Sequence, residues 1–124
     1  MGMFTISVRD SFSAAHRLEH VQGKCETLHG HNFIVEVSVV GDKLNNAGII
    51  VDFQILKKYL REVLDSLDHS YINDKSFFKE RAGSSEYIAM YIFQELKLRI
   101  KEKTFSLLEV KVWESEKSWA SYRE

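Results

Sequence analysis

The sequence predicts an α+β domain with the element order ββααββ. Apolar residues alternate with polar ones near both ends of the chain, whereas in the middle they recur every three or four residues. A four-stranded antiparallel sheet with two helices on one face satisfies both patterns. The 124 residues are the size of one compact domain, and neither a linker nor a repeat divides 1–124.

The first two predicted strands pair like a hairpin. Even-numbered residues of 4–16 carry the first apolar alternation, and odd-numbered residues of 33–39 carry the second. Extending the second strand backward places His29 and His31 on its apolar parity, because residues two apart lie on one face of a strand. Pairing the strands would therefore bring His16 close to both of these histidines.

Two amphipathic helices are predicted next. Asp52 is a suitable N-cap, and apolar residues recur over 53–67 at helical spacing. The second helix is predicted to begin near Ser84 or Ser85, whose hydroxyls can accept hydrogen bonds from the first turn, and its apolar stripe covers 88–100.

A second hairpin is predicted at the end of the chain. Apolar residues alternate over 108–112, a polar turn follows at 115–118, and a short strand covers 119–122. This arrangement leaves one sheet face and the sheet edges uncovered, so we expect oligomerisation to cover them.

Composition excludes several functional classes. The 17 basic and 18 acidic residues are interspersed, which argues against nucleic-acid binding. No apolar run approaches the ~20 residues of a membrane span, and the N-terminus does not resemble a signal peptide. The single cysteine cannot form an intrachain disulfide. We therefore expect a soluble protein in a reducing compartment such as the cytoplasm, with no nucleic-acid or membrane partner.

A metal site is the main functional prediction. His16, Cys25, His29 and His31 lie within sixteen residues. Three imidazoles suit Zn²⁺ and leave a fourth position for water or substrate, as in a catalytic site. Two arrangements follow from the residues alone: Cys25 is either a reactive thiol beside an open zinc site or the fourth ligand of a closed structural one.

Six short motifs extend along the chain in a recognisable order. They are Phe12-Ser13-Ala14-Ala15-His16-Arg17-Leu18, Cys25-x-x-x-His29-Gly30-His31, Val51-Asp52-Phe53, Leu67-Asp68-His69, Ser84-Ser85-Glu86 and Val112-Trp113-Glu114. In these motifs the chain resembles the 6-pyruvoyltetrahydropterin synthase and 6-carboxytetrahydropterin synthase family over nearly all of its length. The resemblance implies the tunnelling fold, also ββααββ, whose protomers join their sheets into a barrel. It further implies a homohexamer, a dimer of trimers, with active sites at subunit interfaces.

The resemblance also implies roles for the residues of the metal cluster. It makes the three histidines zinc ligands and Cys25 the catalytic thiol rather than a ligand. It makes Asp68 and His69 a relay with Cys25. From the residues alone, Asp68 and His69 would be a helix C-terminus with a histidine that suits the helix dipole.

Four further residues correspond to substrate-binding positions of the family. Glu114 resembles the carboxylate that binds the aminopyrimidine edge of a pterin through paired hydrogen bonds. Glu86 accompanies the substrate-binding hydroxyls, here Ser84 and Ser85, although the family usually has proline and threonine before this helix. Alternatively, Glu114 is an exposed hairpin residue and Glu86 a first-turn carboxylate favoured by the helix dipole.

The substrate implied by the resemblance is 7,8-dihydroneopterin triphosphate. The three residues between Cys25 and His29 resemble the 6-carboxytetrahydropterin synthases of queuosine and other deazapurine biosynthesis. Glu26 resembles enzymes that release 6-hydroxymethyl-dihydropterin for folate synthesis, so a second activity is a hypothesis, and a solvated loop residue is the alternative. 6-Pyruvoyltetrahydropterin synthesis and a pterin-binding zinc protein without turnover also remain open. A zinc deaminase is disfavoured, because the chain lacks the His-x-Glu and Cys-x-x-Cys motifs of those enzymes.

Overall fold

The predicted α+β class and element order are confirmed by a computed structural model, which describes residues 2–16 and 29–124. Five strands form one sheet in the order β3-β1-β2-β4-β5. The elements are β1 (Phe4–His16), β2 (His29–Gly41), α1 (Phe53–Asp65), β3 (Ser70–Tyr71), α2 (Ser85–Arg99), β4 (Ser106–Ser115) and β5 (Ser118–Tyr122), with 3₁₀ turns at Ile72–Asp74 and Ser76–Phe78.

The short strand β3 is an addition to the predicted sheet. It pairs in parallel with β1, with Ala14 opposite Ser70 and Ala15 opposite Tyr71. Two residues are too few to produce a periodic pattern, so the sequence did not predict this strand. Its pairing attaches the segment after α1 to the end of β1.

The β1–β2 register confirms the parity predicted for the histidines. Phe12 lies opposite Phe33, Ala14 opposite His31 and His16 opposite His29 in the antiparallel pair. The rings of Phe12 and Phe33 stack with their centroids 5.0 Å apart. Because directly opposed residues share a sheet face, the two strands present one apolar surface that ends in histidines.

Both helices pack on that apolar surface. The Asp52 carboxylate accepts a hydrogen bond from the amide of Gln54 at 2.8 Å, which confirms the predicted cap of α1. The Ser84 hydroxyl accepts one from the amide of Tyr87 at 3.2 Å and caps α2. Helix α1 packs on β1, and α2 packs on β4 and β5. Within the described residues, no helix has the length and apolar composition needed to span a membrane.

The opposite, helix-free face of the sheet carries charged and aromatic side chains. Arg9 and Glu36 form an ion pair of 2.9 Å across β1 and β2. The Arg9 guanidinium lies 4.6 Å from the ring centroid of Trp113, which in turn lies 5.5 Å from that of Trp119. Trp119 is 54% exposed, so part of this face is apolar and open.

Candidate functional site

His16 is buried at the end of β1, with only 1% of its surface exposed. Its Nδ1 donates a hydrogen bond to the carbonyl oxygen of Gly83 at 2.9 Å. A carbonyl oxygen only accepts hydrogen bonds, so Nδ1 carries the proton, and Nε2 faces Glu114 Oε1 at 3.4 Å. An imidazole nitrogen and an anionic carboxylate in this arrangement attract a cation, either a proton on Nε2 or a metal ion.

His31 lies beside His16 on the same face of the sheet. The two imidazole centroids are 5.8 Å apart, and both rings contact Phe33. His31 Nε2 is hydrogen-bonded to the backbone carbonyl of Glu114 on β4. Strands β1, β2 and β4 thus converge on a cluster of two histidines and one glutamate.

Asp68 and His69 are attached to β1 through the backbone of Ser13. The Asp68 carboxylate oxygen Oδ1 accepts a hydrogen bond from the Ser13 amide at 2.9 Å and lies 3.3 Å from His69 Nδ1. The His69 amide donates to the Ser13 carbonyl at 2.6 Å. The Ser13 amide is the main cause of the lowered pKa of Asp68, and His69 and Arg61 lower it further. Asp68 is therefore anionic, and it holds the exposed imidazole of His69.

His69 has an unusual backbone conformation. Its φ is +56°, in the left-handed region that residues other than glycine rarely adopt. The imidazole is 82% exposed and, together with His31, lines an open cavity of about 480 Å³. His69 and His31 thus border one opening, although Asp68, His16 and Glu114 are not among the residues that line it.

A second cavity lies between α2 and the β4–β5 hairpin. Its volume is about 180 Å³, and its lining includes Ser85, Glu86, Glu114, Ser118 and Trp119. The Ser85 hydroxyl oxygen is buried without a hydrogen-bond partner among the described residues. Three of the four predicted substrate-binding residues are thus brought together, whereas the fourth, Ser84, uses its hydroxyl to cap α2.

Comparison with known proteins identifies the family. The family model described as 6-pyruvoyl tetrahydropterin synthase matches residues 5–124. The chain belongs to this family. A 6-carboxy-5,6,7,8-tetrahydropterin synthase of Haemophilus influenzae is 31% identical, over 98% of this chain and 100% of the relative.

Solved structures agree with this assignment to the tetrahydropterin synthase family. The 6-pyruvoyl tetrahydropterin synthase of Caenorhabditis elegans superposes with a TM-score of 0.89 at 34% identity, covering 100% of this chain and 97% of that one. A Plasmodium vivax 6-pyruvoyltetrahydropterin synthase, in which a catalytic glutamate is replaced by cysteine, superposes with a TM-score of 0.80 at 28% identity, covering 100% and 99%. Both of these similar structures are tetrahydropterin synthases.

The described part of the site fits a metal ion with imidazole ligands. His16 has its Nδ1 proton bonded to a backbone carbonyl, as metal-binding histidines usually do, so its Nε2 is directed inward. The backbone of His29 lies opposite His16, but the His29 side chain, Cys25 and Glu26 lie outside the described residues. Within residues 2–16 and 29–124, no group of three or more metal-binding side chains is arranged around one point. His31 would bind a metal through Nδ1 or exchange its Glu114 bond for it.

Gly83 is expected to be essential for the orientation of His16. A Cβ atom at Gly83 would lie 2.7 Å from Oδ1 and 3.1 Å from Cγ of Asn73, so Gly83→Ala must displace either the Asn73 carboxamide or the Gly83 backbone. We expect the carbonyl bond to His16 to weaken and the affinity of the site for a metal ion to fall by about 10–100-fold, the usual effect of losing such an outer contact. Competition with a chelating dye measures the affinity for the metal ion. Restored affinity in the Asn73→Ala, Gly83→Ala double variant would support the steric cause, and wild-type affinity in Gly83→Ala would contradict the prediction.

The lowered pKa of Asp68 predicts a pH-dependent stability. The folded protein binds a proton at Asp68 less readily than the unfolded chain does, so the stabilisation is fully present above the usual carboxyl pKa of 3.8 and is lost as the pH falls through the lowered value. Urea unfolding between about pH 2 and 6 should therefore show a weaker acid dependence in Asp68→Asn than in the wild type. The exposed Asp42→Asn variant should keep the wild-type slope, and equal slopes for all three proteins would refute the assignment.

Three contributors to the site were not anticipated from the sequence. Ser118 and Trp119 line the Glu114 cavity because the β4–β5 turn places them beside α2, and their place in the predicted hairpin was the available signal. The role of the Gly83 carbonyl could not be predicted from the sequence, because every residue carries a backbone carbonyl.

Proposed function

We propose that the chain is a zinc-dependent 6-carboxy-5,6,7,8-tetrahydropterin synthase. It converts 7,8-dihydroneopterin triphosphate and water to 6-carboxytetrahydropterin, acetaldehyde and triphosphate, as a lyase of queuosine-type deazapurine biosynthesis in the cytoplasm. The observation that carries the proposal is the buried His16, with its protonated Nδ1 on Gly83 and its Nε2 directed at Glu114. The relationship to the Haemophilus influenzae protein of that name supports the choice of reaction.

His16, His29 and His31 would hold the zinc. When bound, the ion supplies Lewis acidity to the hydroxyls of the pterin side chain and stabilises negative charge that develops on them. The protein residues provide the ligand orientation, because His16 is fixed through Gly83 and packs with His31 against Phe33. A rigid, largely buried pair of imidazoles loses little conformational entropy on binding a ligand.

Glu114, Glu86 and Ser85 bind the pterin ring in this proposal. A carboxylate matches the paired N–H donors of an aminopyrimidine, and such charge-assisted pairs are stronger than neutral hydrogen bonds. Glu114 lines the 180 Å³ cavity and also lies 3.4 Å from His16, so a ring bound by Glu114 would lie close to the histidine cluster. The buried Ser85 hydroxyl would find its partner in the bound ring.

Cys25, Asp68 and His69 move protons in this proposal. An imidazole exchanges protons readily near neutral pH, and the His69 side chain is open to the cavity that it shares with His31. Anionic Asp68 holds Nδ1 of that ring and stabilises the imidazolium that forms when the ring accepts a proton from the Cys25 thiol.

A homohexamer with active sites at subunit interfaces is part of the proposal. Among the described residues, β1 has a partner on its outer side only at Ala14 and Ala15, and the helix-free face exposes Trp119. Open strand edges favour pairing with another copy. Light scattering of the purified protein should give about six times the mass of 14.5 kDa, and a monomer would contradict the barrel.

Product analysis tests the reaction. The zinc-loaded protein is incubated anaerobically with 7,8-dihydroneopterin triphosphate, and the pterins are identified by mass spectrometry. We expect 6-carboxytetrahydropterin, and we expect it to disappear in Cys25→Ala. A bound zinc ion with no turnover by the wild type would favour a pterin-binding role and overturn the proposal.

A second activity, cleavage to 6-hydroxymethyl-dihydropterin, depends on Glu26. Its support is the Plasmodium vivax relative, in which a catalytic residue is a glutamate. In the same assay, a hydroxymethyl product that is lost in Glu26→Ala and kept in Cys25→Ala would establish this activity. Absence of that product from the wild type would make Glu26 a solvated loop residue.

A further inference from the structure

Arg61 connects the helix α1 to three acidic residues near the Asp68–His69 pair. Its guanidinium nitrogens lie 2.9 Å from a carboxylate oxygen of Asp65, 3.1 Å from one of Asp10 and 3.7 Å from one of Asp68. Its Nη1 also donates a hydrogen bond to the carbonyl of Ser11 at 3.1 Å. The side chain is 37% exposed, so these contacts are partly shielded from solvent. One cation is thus shared by β1, by α1 and by the turn that carries Asp68.

The two oxygens of the Asp68 carboxylate have different partners. Oδ1 accepts the Ser13 amide and faces His69, whereas Oδ2 faces Arg61. The contact to Oδ2 is an ion pair of 3.7 Å rather than a hydrogen bond, so it favours one orientation of the carboxylate through charge attraction. Its orientation toward His69 therefore depends on Arg61 as well as on the Ser13 amide.

We infer that Arg61 is a positioning residue that fixes the Asp68 carboxylate and, through it, the His69 imidazole. The inference rests on the proposed function, in which His69 exchanges a proton with Cys25. Within the described residues, Arg61 reaches the Asp68–His69 pair through the Asp68 carboxylate, and its other contacts are to Asp10, Asp65 and the Ser11 carbonyl. It does not face the Glu114 cavity, so the affinity for the pterin should not depend on it.

Loss of the Arg61 guanidinium has two consequences for the three carboxylates around it. Among the described residues, the charged groups that face Arg61 are Asp10, Asp65 and Asp68, and the His69 imidazole is a further partner of Asp68. Without Arg61 the three carboxylates repel one another, and Asp68 loses one of the contacts that hold it toward His69. The Ser13 bonds to Asp68 and His69 should then open more often.

A double-mutant cycle with Arg61→Met and Asp68→Asn tests the inference. We expect Arg61→Met to lower kcat about tenfold with KM within about twofold of the wild type, since misplaced proton-transfer groups slow chemistry more than binding. In the Asp68→Asn background, Arg61→Met should lower kcat by less than about twofold, because the effects of two residues that act in series are not additive. Arg99→Met is the matched control, because Arg99 also pairs with an acidic residue of its own helix, Glu95, and should leave kcat unchanged.

Amide hydrogen exchange at Ser13 and His69 provides a readout that does not depend on turnover. Exchange at both amides should be faster in Arg61→Met and unchanged in Arg99→Met, and Arg61→Lys, which keeps the charge without the planar fork, should lie between. The lysine variant also serves in the cycle if Arg61→Met does not fold. Additive losses of kcat, or unchanged exchange, would overturn the inference. Faster exchange in a protein whose wild type makes no pterin product would support the Arg61 contact and overturn the proposed function instead.

Discussion

Replacing His16 with glutamine is expected to abolish zinc binding and to lower turnover by about a thousandfold. The Lewis acidity of a bound metal lowers the activation free energy by several kcal/mol, and each change of about 1.4 kcal/mol corresponds to a tenfold change in rate. Glutamine keeps a polar side chain of similar length, but it lacks the imidazole geometry that engages the Gly83 carbonyl and the Glu114 carboxylate at the same time. Metal content by mass spectrometry and the rate of pterin turnover are the two measurements.

His69→Gln is the matched control for the loss of a histidine. His69 lies at the opening and is 82% exposed, whereas His16 is 1% exposed. We therefore expect His69→Gln to keep the full zinc content and to lose turnover through proton transfer, by about 10²–10⁴-fold. Stoichiometric zinc in His16→Gln, or loss of zinc in His69→Gln, would reverse the roles assigned to the two residues.

Replacing Glu114 with glutamine is expected to weaken the binding of the pterin. The amide has one acceptor and one donor where the carboxylate has two acceptors, so one of the paired hydrogen bonds to an aminopyrimidine becomes a clash of two donors. Hydrogen bonds to a charged group contribute about 1.5–3 kcal/mol, which corresponds to about a 10–100-fold fall in kcat/KM. Steady-state kinetics should place most of that fall in KM, since in the proposed function the carboxylate would bind the ring equally in the ground state and the transition state.

Glu116→Gln provides the comparison within the same hairpin. Glu116 is exposed in the turn after β4, outside the set of residues that line the 180 Å³ cavity. It should show wild-type kinetics and zinc content. Equal kinetics for the two variants would place the pterin elsewhere and would leave Glu114 only its contact with His16.

Periodicity predicted the parts of the fold that govern the site. The alternation in β1 and β2 placed His16, His29 and His31 on one face, and the observed register puts His16 directly opposite His29. The caps at Asp52 and Ser84 were predictable for a related reason, because a short polar side chain before an apolar stripe has one favourable role.

Other features depend on tertiary contacts that leave no sequence pattern. Strand β3 has two residues, and its pairing with β1 is decided by where the turn after α1 ends. The acceptor for His16 is a backbone carbonyl, and the shared use of Arg61 by three carboxylates depends on a helix that crosses β1. Local spacing alone cannot predict such long-range partners.

The left-handed backbone at His69 makes the fold and the reaction favour different residues at one position. A side chain in this conformation costs about 1–2 kcal/mol compared with the right-handed one, and glycine avoids most of that strain. Directed evolution for heat resistance alone would therefore select glycine at position 69, and the imidazole would be lost. Selection for turnover would restore histidine at the expense of melting temperature, so position 69 is where stability and catalysis trade against each other.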